Sequence, residues 1–218
     1  MTPPPLSALI IAGAGGLGRE VAGYILDALA AGRLRGEIRG FLDDTDADPA
    51  AFGLPFPVLG PMDAYRPAAD ERVVVAVGAP HDRGTVVRRL EQRGARFISV
   101  IHPLAWVAEP AWLEEGCIVA PFATIGMNAR LGSHCLINTH AGIGHDASLG
   151  SCSVISPHAV VNGGAILAER VLLGSGAVIT PRRVIGEAAC ISAGSVIQSD
   201  VAAGVTMWGN PARPLPKG

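Results

Sequence analysis

Aromatic side chains are scarce in this chain. Phe, Trp and Tyr make up only 5% of its 218 residues, whereas 49% of the residues are hydrophobic. Small aliphatic side chains therefore supply most of the apolar surface, and such a composition suits a narrow core. The length allows one large domain or two modest ones.

Charge is also in short supply, and neither sign dominates. Asp, Glu, Lys and Arg make up 17% of the residues, and the formal net charge is −2. Without a basic excess, a nucleic-acid partner is not expected. No apolar run approaches the roughly 18 residues that a membrane-spanning helix needs, and the first residues, MTPPPLSALII, lack the basic segment of a signal peptide. We therefore expect neither a membrane span nor a signal peptide.

Cysteine pairs with metal-binding spacing are missing. The chain has four cysteines and no CxxC motif, so a cysteine-based zinc site is not expected. Cys117 and Cys135 lie 18 residues apart, at equivalent places in the repeat described next, where a thiol acts as a small core residue. Together with the lack of a signal peptide, this predicts reduced cysteines and a cytoplasmic protein.

The dominant pattern in the sequence is a hexapeptide repeat. A first ladder places an aliphatic residue at every sixth position: Ile101, Val107, Leu113, Val119, Ile125, Leu131, Ile137, Ile143, Leu149, Ile155, Val161, Leu167, Leu173, Ile179, Ile185, Ile191 and Ile197. A second ladder, four residues after the first, carries small or β-branched residues, with Arg183 as the exception. Six of the aliphatic residues are followed directly by glycine, at positions 126, 132, 144, 150, 174 and 186.

A period of six excludes an amphipathic helix and is typical of short strands separated by turns. Hexapeptide repeats of this kind mark parallel β-helices, in which stacking of the repeats buries the aliphatic ladder. The six glycines are predicted to provide the positive φ angles of the corners. The pattern resembles the hexapeptide-repeat acyltransferases. That resemblance implies a left-handed parallel β-helix with three hexads per triangular coil, so that residues 18 apart stack.

The N-terminal part has a different pattern. Residues 8–12 read as a buried strand, the glycine-rich segment Gly13-Ala14-Gly15-Gly16-Leu17-Gly18 follows, and residues 19–31 have helical spacing. A GxGxxG motif between a strand and a helix suits phosphate binding, because the backbone can approach the ligand at a helix N-terminus. A tight turn that binds nothing is the alternative.

Further elements extend this pattern. Residues 38–42 form a predicted strand that ends in Asp43 and Asp44, where a carboxylate could accept hydrogen bonds from ribose hydroxyls. Strands over residues 72–77 and 97–101 and a helix over residues 81–93 complete a small α/β domain. This domain is short for a full dinucleotide fold, so a mononucleotide or nucleotide sugar fits better than NAD.

The GxGGxG segment, the FLDD and AVG segments and the repeat together are similar to the nucleotide-sugar N-acetyltransferases and sialic-acid-type sugar O-acyltransferases. This resemblance implies a Rossmann-like nucleotide-sugar-binding domain over residues 1–101 and a left-handed β-helix with a C-terminal tail over residues 102–218. Leu17 departs from the family, whose members often have histidine there. The substrate-binding residues implied by position are Gly13, Gly15, Gly16, Asp43, Asp44 and Arg83.

The candidate chemistry lies at His145 and Asp146. Acetyl transfer to an amine needs a base, and a neutral histidine oriented by a carboxylate supplies one. Neighbouring residues on a strand face opposite sides, but at a corner they can converge. The resemblance implies the same roles, because Asn138-Thr139 and His145-Asp146 match the family's catalytic signature.

The resemblance also implies acetyl-CoA as co-substrate, bound in a groove between neighbouring β-helices of a homotrimer, with no metal. Arg213 is a candidate for the coenzyme phosphate, although a solvated tail cation is an equal alternative. The implied cofactor-binding residues are Asn138, Gly163, Gly174, Ser192, Ala193 and Arg213.

The predicted function is acetyl transfer from acetyl-CoA to a nucleotide-linked amino sugar, with a 4-amino-4,6-dideoxyhexose as the favoured sugar, by direct attack in a ternary complex. Three alternatives remain open at this point. They are a sugar O-acetyltransferase of the sialic-acid type, a zinc β-helix like the γ-class carbonic anhydrases with His140 and His145 as ligands, and a non-catalytic nucleotide-binding β-helix.

Overall fold

The computed structural model describes residues 8–215, which begin with a small parallel sheet. In spatial order its four strands are Val58–Gly60, Glu37–Leu42, Ala8–Ala12 and Glu71–Val75. Every residue of the strand Ala8–Ala12 is buried, as the apolar run predicts. Two 3₁₀ turns, Pro49–Phe52 and Met62–Ala64, flank the third strand. The regular elements are β1 (Ala8–Ala12), α1 (Gly16–Ala30), β2 (Glu37–Leu42), β3 (Val58–Gly60), β4 (Glu71–Val75) and α2 (Pro80–Glu91).

A solenoid of two-residue strands follows. Each strand ends at a residue of the aliphatic ladder, and a four-residue corner leads to the next strand. In chain order the strands are β5 (Val100–Ile101), β6 (Trp106–Val107), β7 (Trp112–Leu113), β8 (Ile118–Val119), β9 (Thr124–Ile125), β10 (Arg130–Leu131), β11 (Leu136–Ile137), β12 (Gly142–Ile143), β13 (Ser148–Leu149), β14 (Val154–Ile155), β15 (Val160–Val161), β16 (Ile166–Leu167), β17 (Leu172–Leu173), β18 (Val178–Ile179), β19 (Val184–Ile185), β20 (Cys190–Ile191) and β21 (Val196–Ile197).

These strands form three parallel sheets, which are the three faces of a triangular prism. Sheet I contains β5, β8, β11, β14, β17 and β20; sheet II contains β6, β9, β12, β15, β18 and β21; sheet III contains β7, β10, β13, β16 and β19. Leu131 pairs with Leu149 and Ile143 with Val161, so residues 18 apart stack, as predicted. The structure confirms the fold class, an α/β unit followed by a left-handed parallel β-helix.

The core of the prism consists of the two ladders. From residue 117 onwards the aliphatic positions are buried, and the small ladder fills the space between them with residues such as Cys117, Ala141 and Ser153. Stacking therefore removes from water the apolar surface that a single hexad cannot cover.

The expected role of the corner glycines is wrong. None of the six glycines that follow an aliphatic residue has a positive φ. From Leu113 to Ile191 the left-handed residue is the third one after each aliphatic, and it is usually not glycine, as at Phe122 and Asp146. The six glycines serve close packing instead. A Cβ on Gly144, for example, would lie 2.6 Å from the backbone nitrogen of Gly163 in the next coil.

Two N-terminal expectations also need correction. Residues 97–101 do not form a strand of the first sheet: Phe97 makes only an isolated bridge to Val73, and β5 pairs with β8 of the β-helix. The strand missed by the sequence interpretation is β3, which pairs with β2. The α/β unit packs on the outer face of sheet I, where Ile118, Leu136 and Val154 share a core with α1.

The last coil is two residues shorter than the others. Val201 bridges to Ile185 and Met207 pairs with Ile191, so the stacking separation falls from 18 to 16 and the phase fails at residue 203. A hairpin of β22 (Thr206–Gly209) and β23 (Ala212–Pro214) ends sheet I. Arg183, the misfit of the small ladder, turns outward to Asp200, with 3.7 Å between Nη1 and Oδ1.

Within residues 8–215, neither of the two α-helices has the length and apolar character of a membrane span.

Candidate active site

The corner between sheets II and III carries His145 and Asp146. Asp146 is the left-handed residue of this corner, with φ 60°, and that conformation turns its carboxylate back towards the preceding side chain. His145 Nδ1 lies 2.7 Å from Asp146 Oδ2. The imidazole is 72% exposed and the carboxylate 57%. The structure therefore brings the predicted base and its orienting carboxylate into contact at an open surface.

Asn128 adds a second contact to this pair. It occupies the same corner position one coil earlier, and its Nδ2 donates to Asp146 Oδ1 over 3.2 Å. Hydrogen bonds from His145 and from Asn128 hold the pKa of Asp146 below its usual value. An ionised carboxylate can only accept, so the proton of a neutral imidazole lies on Nδ1 and the lone pair lies on Nε2. The sequence interpretation missed Asn128, although its position 18 residues before Asp146 was a usable signal.

Two glycines enclose His145 along the prism axis. A Cβ on Gly126 would lie 2.6 Å from the backbone nitrogen of His145, and a Cβ on Gly163 would lie 2.6 Å from His145 Nε2. The imidazole therefore lies directly over the backbone of Gly163. The N–H of Gly163 has no acceptor among residues 8–215.

The other predicted cofactor residues lie elsewhere. Asn138, Gly174, Ser192 and Ala193 belong to the corner between sheets I and II, and Gly163 alone shares the corner of His145. Asn138 Oδ1 accepts the N–H of Thr139 at 2.8 Å. A Cβ on Gly174 would lie 2.6 Å from the nitrogen of Ala193, so this corner is closely packed.

Arg213 lies on the C-terminal hairpin. It is exposed, faces Trp208 across the strand pair, and donates to the carbonyl of Ala212. One chain therefore distributes the predicted cofactor residues over two corners and the tail.

The glycine-rich loop divides into two kinds of position. A Cβ on Gly13 would lie 2.7 Å from the carbonyl oxygen of Ala76, and φ there is +109°. A Cβ on Gly18 would lie 1.9 Å from the carbonyl oxygen of Gly13. Around Gly15 and Gly16, in contrast, a Cβ would meet nothing closer than 4.0 Å. The first pair maintains the loop, and the second pair leaves open space in front of α1.

The two aspartates after β2 already have partners. Asp43 accepts the N–H of Ala14 at 2.6 Å through Oδ2 and the N–H of Thr45 at 2.8 Å through Oδ1. Asp44 accepts from Arg89 and from the N–H of Met62. Asp43 thus fixes the glycine-rich loop, and Asp44 joins β2 to α2.

Arg83 does not lie at the surface, so the structure contradicts its predicted contact with a nucleotide. Its side chain is fully buried, and Nε and Nη1 donate to the carbonyl oxygens of His134 and Val77 at 2.6 and 2.9 Å. Burial without a carboxylate lowers the pKa of Arg83 to about 10. Burial, with a smaller contribution from Arg83, lowers the pKa of His134 to about 4. Arg83 therefore ties α2 to the β-helix.

His140 lies at a different corner from His145. Its ring stacks between Phe122 and His158, with centroid distances of 4.9 and 4.8 Å. No group of three His, Cys, Asp or Glu side chains within residues 8–215 has the arrangement of a metal site. One chain does not bring the two histidines of the zinc alternative to one ion.

Known proteins resemble this chain in sequence and in structure. Residues 8–90 match the model of the PglD N-terminal domain. No curated protein sequence shows significant similarity to the chain. The acetyltransferase domain of PglB from Neisseria gonorrhoeae FA1090 is 31% identical, with a TM-score of 0.85 over 95% of this chain and 99% of that chain. The same domain in complex with acetyl coenzyme A is 32% identical, with a TM-score of 0.84 over 95% of this chain and 98% of that one.

Two further solved structures resemble the whole chain. PerB from Caulobacter crescentus, in complex with CoA and GDP-perosamine, is 27% identical, with a TM-score of 0.83 over 97% of this chain and 98% of that one. WeeI from Acinetobacter baumannii AYE is also 27% identical, with a TM-score of 0.83 over 96% of this chain and all of that one. The repeat, the glycine-rich loop and these similarities agree, and the chain belongs to the hexapeptide-repeat family of acetyl-CoA-dependent nucleotide-sugar N-acetyltransferases.

Proposed function

We propose that this enzyme acetylates the amine of a nucleotide-linked 4-amino-4,6-dideoxyhexose, with His145 as general base and Asp146 as its orienting carboxylate. The contact between His145 Nδ1 and Asp146 at 2.7 Å carries this proposal, because it leaves Nε2 free to accept a proton. Two relatives support the donor and acceptor classes: the Neisseria domain binds acetyl coenzyme A, and the Caulobacter enzyme binds CoA and GDP-perosamine.

The reaction is a direct transfer in a ternary complex. The amine nitrogen attacks the thioester carbonyl while Nε2 of His145 takes one of its protons. The new N–C bond forms and the C–S bond breaks, and the proton passes from the imidazolium to the departing thiolate of coenzyme A. Asp146 stabilises the imidazolium and keeps the ring in the productive tautomer. No covalent acyl-enzyme is required.

A backbone amide next to the base would stabilise the negative charge on the carbonyl oxygen. Gly163 lies directly under the His145 ring, and its N–H has no acceptor among the described residues. An N–H already in place costs no reorganisation when the charge develops, which makes such donors effective. Gly163 is therefore the proposed oxyanion donor.

The geometry of one chain is incomplete for this reaction. The α/β unit packs on sheet I, whereas His145 lies at the corner opposite that sheet. The base is 72% exposed, so one chain provides no second wall. We infer that neighbouring copies close the site and that the enzyme is a homotrimer. Light scattering of the purified protein should give about three times the chain mass of 22.3 kDa; a monomeric mass with full activity would exclude a shared site.

Substitution of Gly163 by alanine tests the position of the base. A Cβ there would lie 2.6 Å from His145 Nε2, and the exposed ring must turn away from it. We expect kcat to fall about 10- to 100-fold, because small displacements of catalytic groups are costly. The melting temperature should stay close to that of the wild type. Gly142→Ala is the control, since a Cβ there meets Thr124 at an ordinary 3.5 Å; equal kcat values for the two variants would contradict the assignment.

The acceptor is tested by thiol release from acetyl-CoA against a panel of UDP-, dTDP- and GDP-linked sugars. We expect turnover with a 4-amino sugar and none with the matching 4-hydroxy sugar. Mass spectrometry should locate the acetyl group on nitrogen. Turnover only with hydroxyl acceptors of the sialic-acid type would replace the proposal by O-acetylation, and no thiol release with any member of the panel would reject it.

A further inference from the structure

The Arg19 guanidinium packs on an aromatic ring but has no hydrogen-bond acceptor among residues 8–215. The residue lies in the first turn of α1, and its Cζ lies 3.6 Å from the ring centroid of Phe52. Among residues 8–215 its side chain has no carboxylate, carbonyl or hydroxyl acceptor. A half-buried guanidinium with all its N–H donors unpaired is available for an anionic ligand.

Phe52 is held in place although it is exposed. It ends the 3₁₀ turn Pro49–Phe52, which Asp48 caps by accepting the N–H of Ala50 at 3.1 Å. Gly53 closes the turn with φ +77°. The phenyl ring is 64% exposed, so it contributes little to the core. Its contact with the Arg19 guanidinium is a cation–π interaction that restricts the rotamers of a long side chain.

The guanidinium lies beside the open part of the glycine-rich loop. Arg19 Nη2 lies 4.0 Å from the place where a Cβ on Gly16 would be. A cavity of about 400 Å³ opens here, lined by Gly16, Arg19, Glu20, Phe52 and Leu54. The carboxylate of Glu20 faces Tyr24, whose hydroxyl lies 3.5 Å from it. Arg19 is therefore the one cation lining this cavity among the described residues.

We propose that Arg19, oriented by Phe52, binds the diphosphate of the nucleotide sugar at the open side of Gly16. The inference rests on the proposed function and names a binding residue that neither the motif nor the family resemblance identified. A guanidinium holds two phosphate oxygens through parallel N–H donors, and the N–H groups at the start of α1 add to the binding. Phe52 is a positioning residue that acts through Arg19.

Calorimetry with UDP, dTDP and GDP on the full-length protein provides the first test. The diphosphate that binds wild-type protein should bind Arg19→Gln about 10- to 100-fold more weakly, as expected for lost hydrogen bonds between charged groups. Arg35→Gln is the matched control, because it removes the same charge from the opposite, N-terminal edge of the sheet, before β2. Its affinity should equal that of the wild type.

Kinetics supply the second test. Arg19→Gln and Phe52→Leu should raise KM for the nucleotide sugar and leave KM for acetyl-CoA unchanged. Phe52→Trp keeps an aromatic ring beside Arg19, so its KM for the nucleotide sugar should stay at the wild-type value. Added salt should raise KM less in Arg19→Gln than in the wild type. If the wild type binds a nucleoside diphosphate and Arg19→Gln binds it equally well, the role of Arg19 is wrong and the proposed function stands. If the wild type binds none of the three diphosphates, the nucleotide-sugar assignment itself fails.

Discussion

Replacement of His145 by alanine should lower kcat about 10²- to 10⁴-fold, the usual contribution of a positioned general base. The imidazole Nε2 is the proposed proton acceptor for the attacking amine, and Asn128, the second partner of Asp146, has no basic nitrogen to replace it. The ring is 72% exposed and supports little of the core, so the fold should survive. Steady-state thiol release measures the loss, and calorimetry with the nucleoside diphosphate should show unchanged binding.

Two further variants give this experiment its controls. Asp146→Asn keeps the shape of the side chain but offers an amide to His145, which disfavours the tautomer with a free Nε2, so kcat should fall as well. His81→Ala removes an exposed histidine from α2 and should leave kcat at the wild-type value. A His145→Ala enzyme within threefold of wild-type kcat would rule out the base assignment.

Alanine substitutions at two glycines of α1 test the packing of the glycine-rich loop. Gly18→Ala and Gly23→Ala make the same change within the same helix, α1, yet they should act in opposite directions. A Cβ on Gly18 would lie 1.9 Å from the carbonyl oxygen of Gly13, which is backbone and has no room to retreat. A Cβ on Gly23 would meet nothing within 4 Å. Alanine improves helix propensity by about 1 kcal/mol at either site, and only the clash at Gly18 exceeds that gain.

We expect Gly18→Ala to reduce the free energy of unfolding by about 3 kcal/mol, the upper end of the usual cost of overpacking, because the obstructing atom is backbone. The melting temperature should fall by roughly 6–12 °C, whereas Gly23→Ala should raise it by a few degrees. Differential scanning fluorimetry and nucleoside diphosphate binding both report on the variant. Equal melting temperatures for the two variants would show that the loop can open without cost.

The β-helix could be predicted from sequence because its information is local and repeated. Each hexad contains its own aliphatic residue and, except at Arg183, its own small or β-branched residue, so one rule, applied from Leu113 to Ile197, gives strands, register and core together. The positive φ at the third corner position was not predictable in this way. It falls on Asn128 and Asp146, which tolerate this conformation, but equally on Phe122 and Cys152, whose residue types give no such signal.

The α/β unit was less predictable because its key contacts join residues far apart in sequence. The charge of Arg83 suggests a surface position, and only the packing of α2 against His134, 51 residues away, places it inside. Asp43 is a predicted nucleotide-binding residue, and the sequence did not indicate that its carboxylate also accepts the N–H of Ala14, 29 residues away. The pairing of Arg19 with Phe52 has no sequence signature at all.

At the candidate active site, in contrast, His145 and Asp146 are adjacent, so the sequence indicated the pair and the structure supplied Asn128 and the neighbouring Gly163.

The shortened last coil has a consequence for assembly along the prism axis. A stack of complete coils would present unpaired N–H and C=O groups at its end, which is a template for another chain to join. Here β22 turns back into the antiparallel β23, which carries Pro214, a residue without an N–H donor. An incoming copy cannot continue the parallel ladder of sheet I past this hairpin. The hairpin that follows the shortened coil thus works against filament growth by strand addition to sheet I.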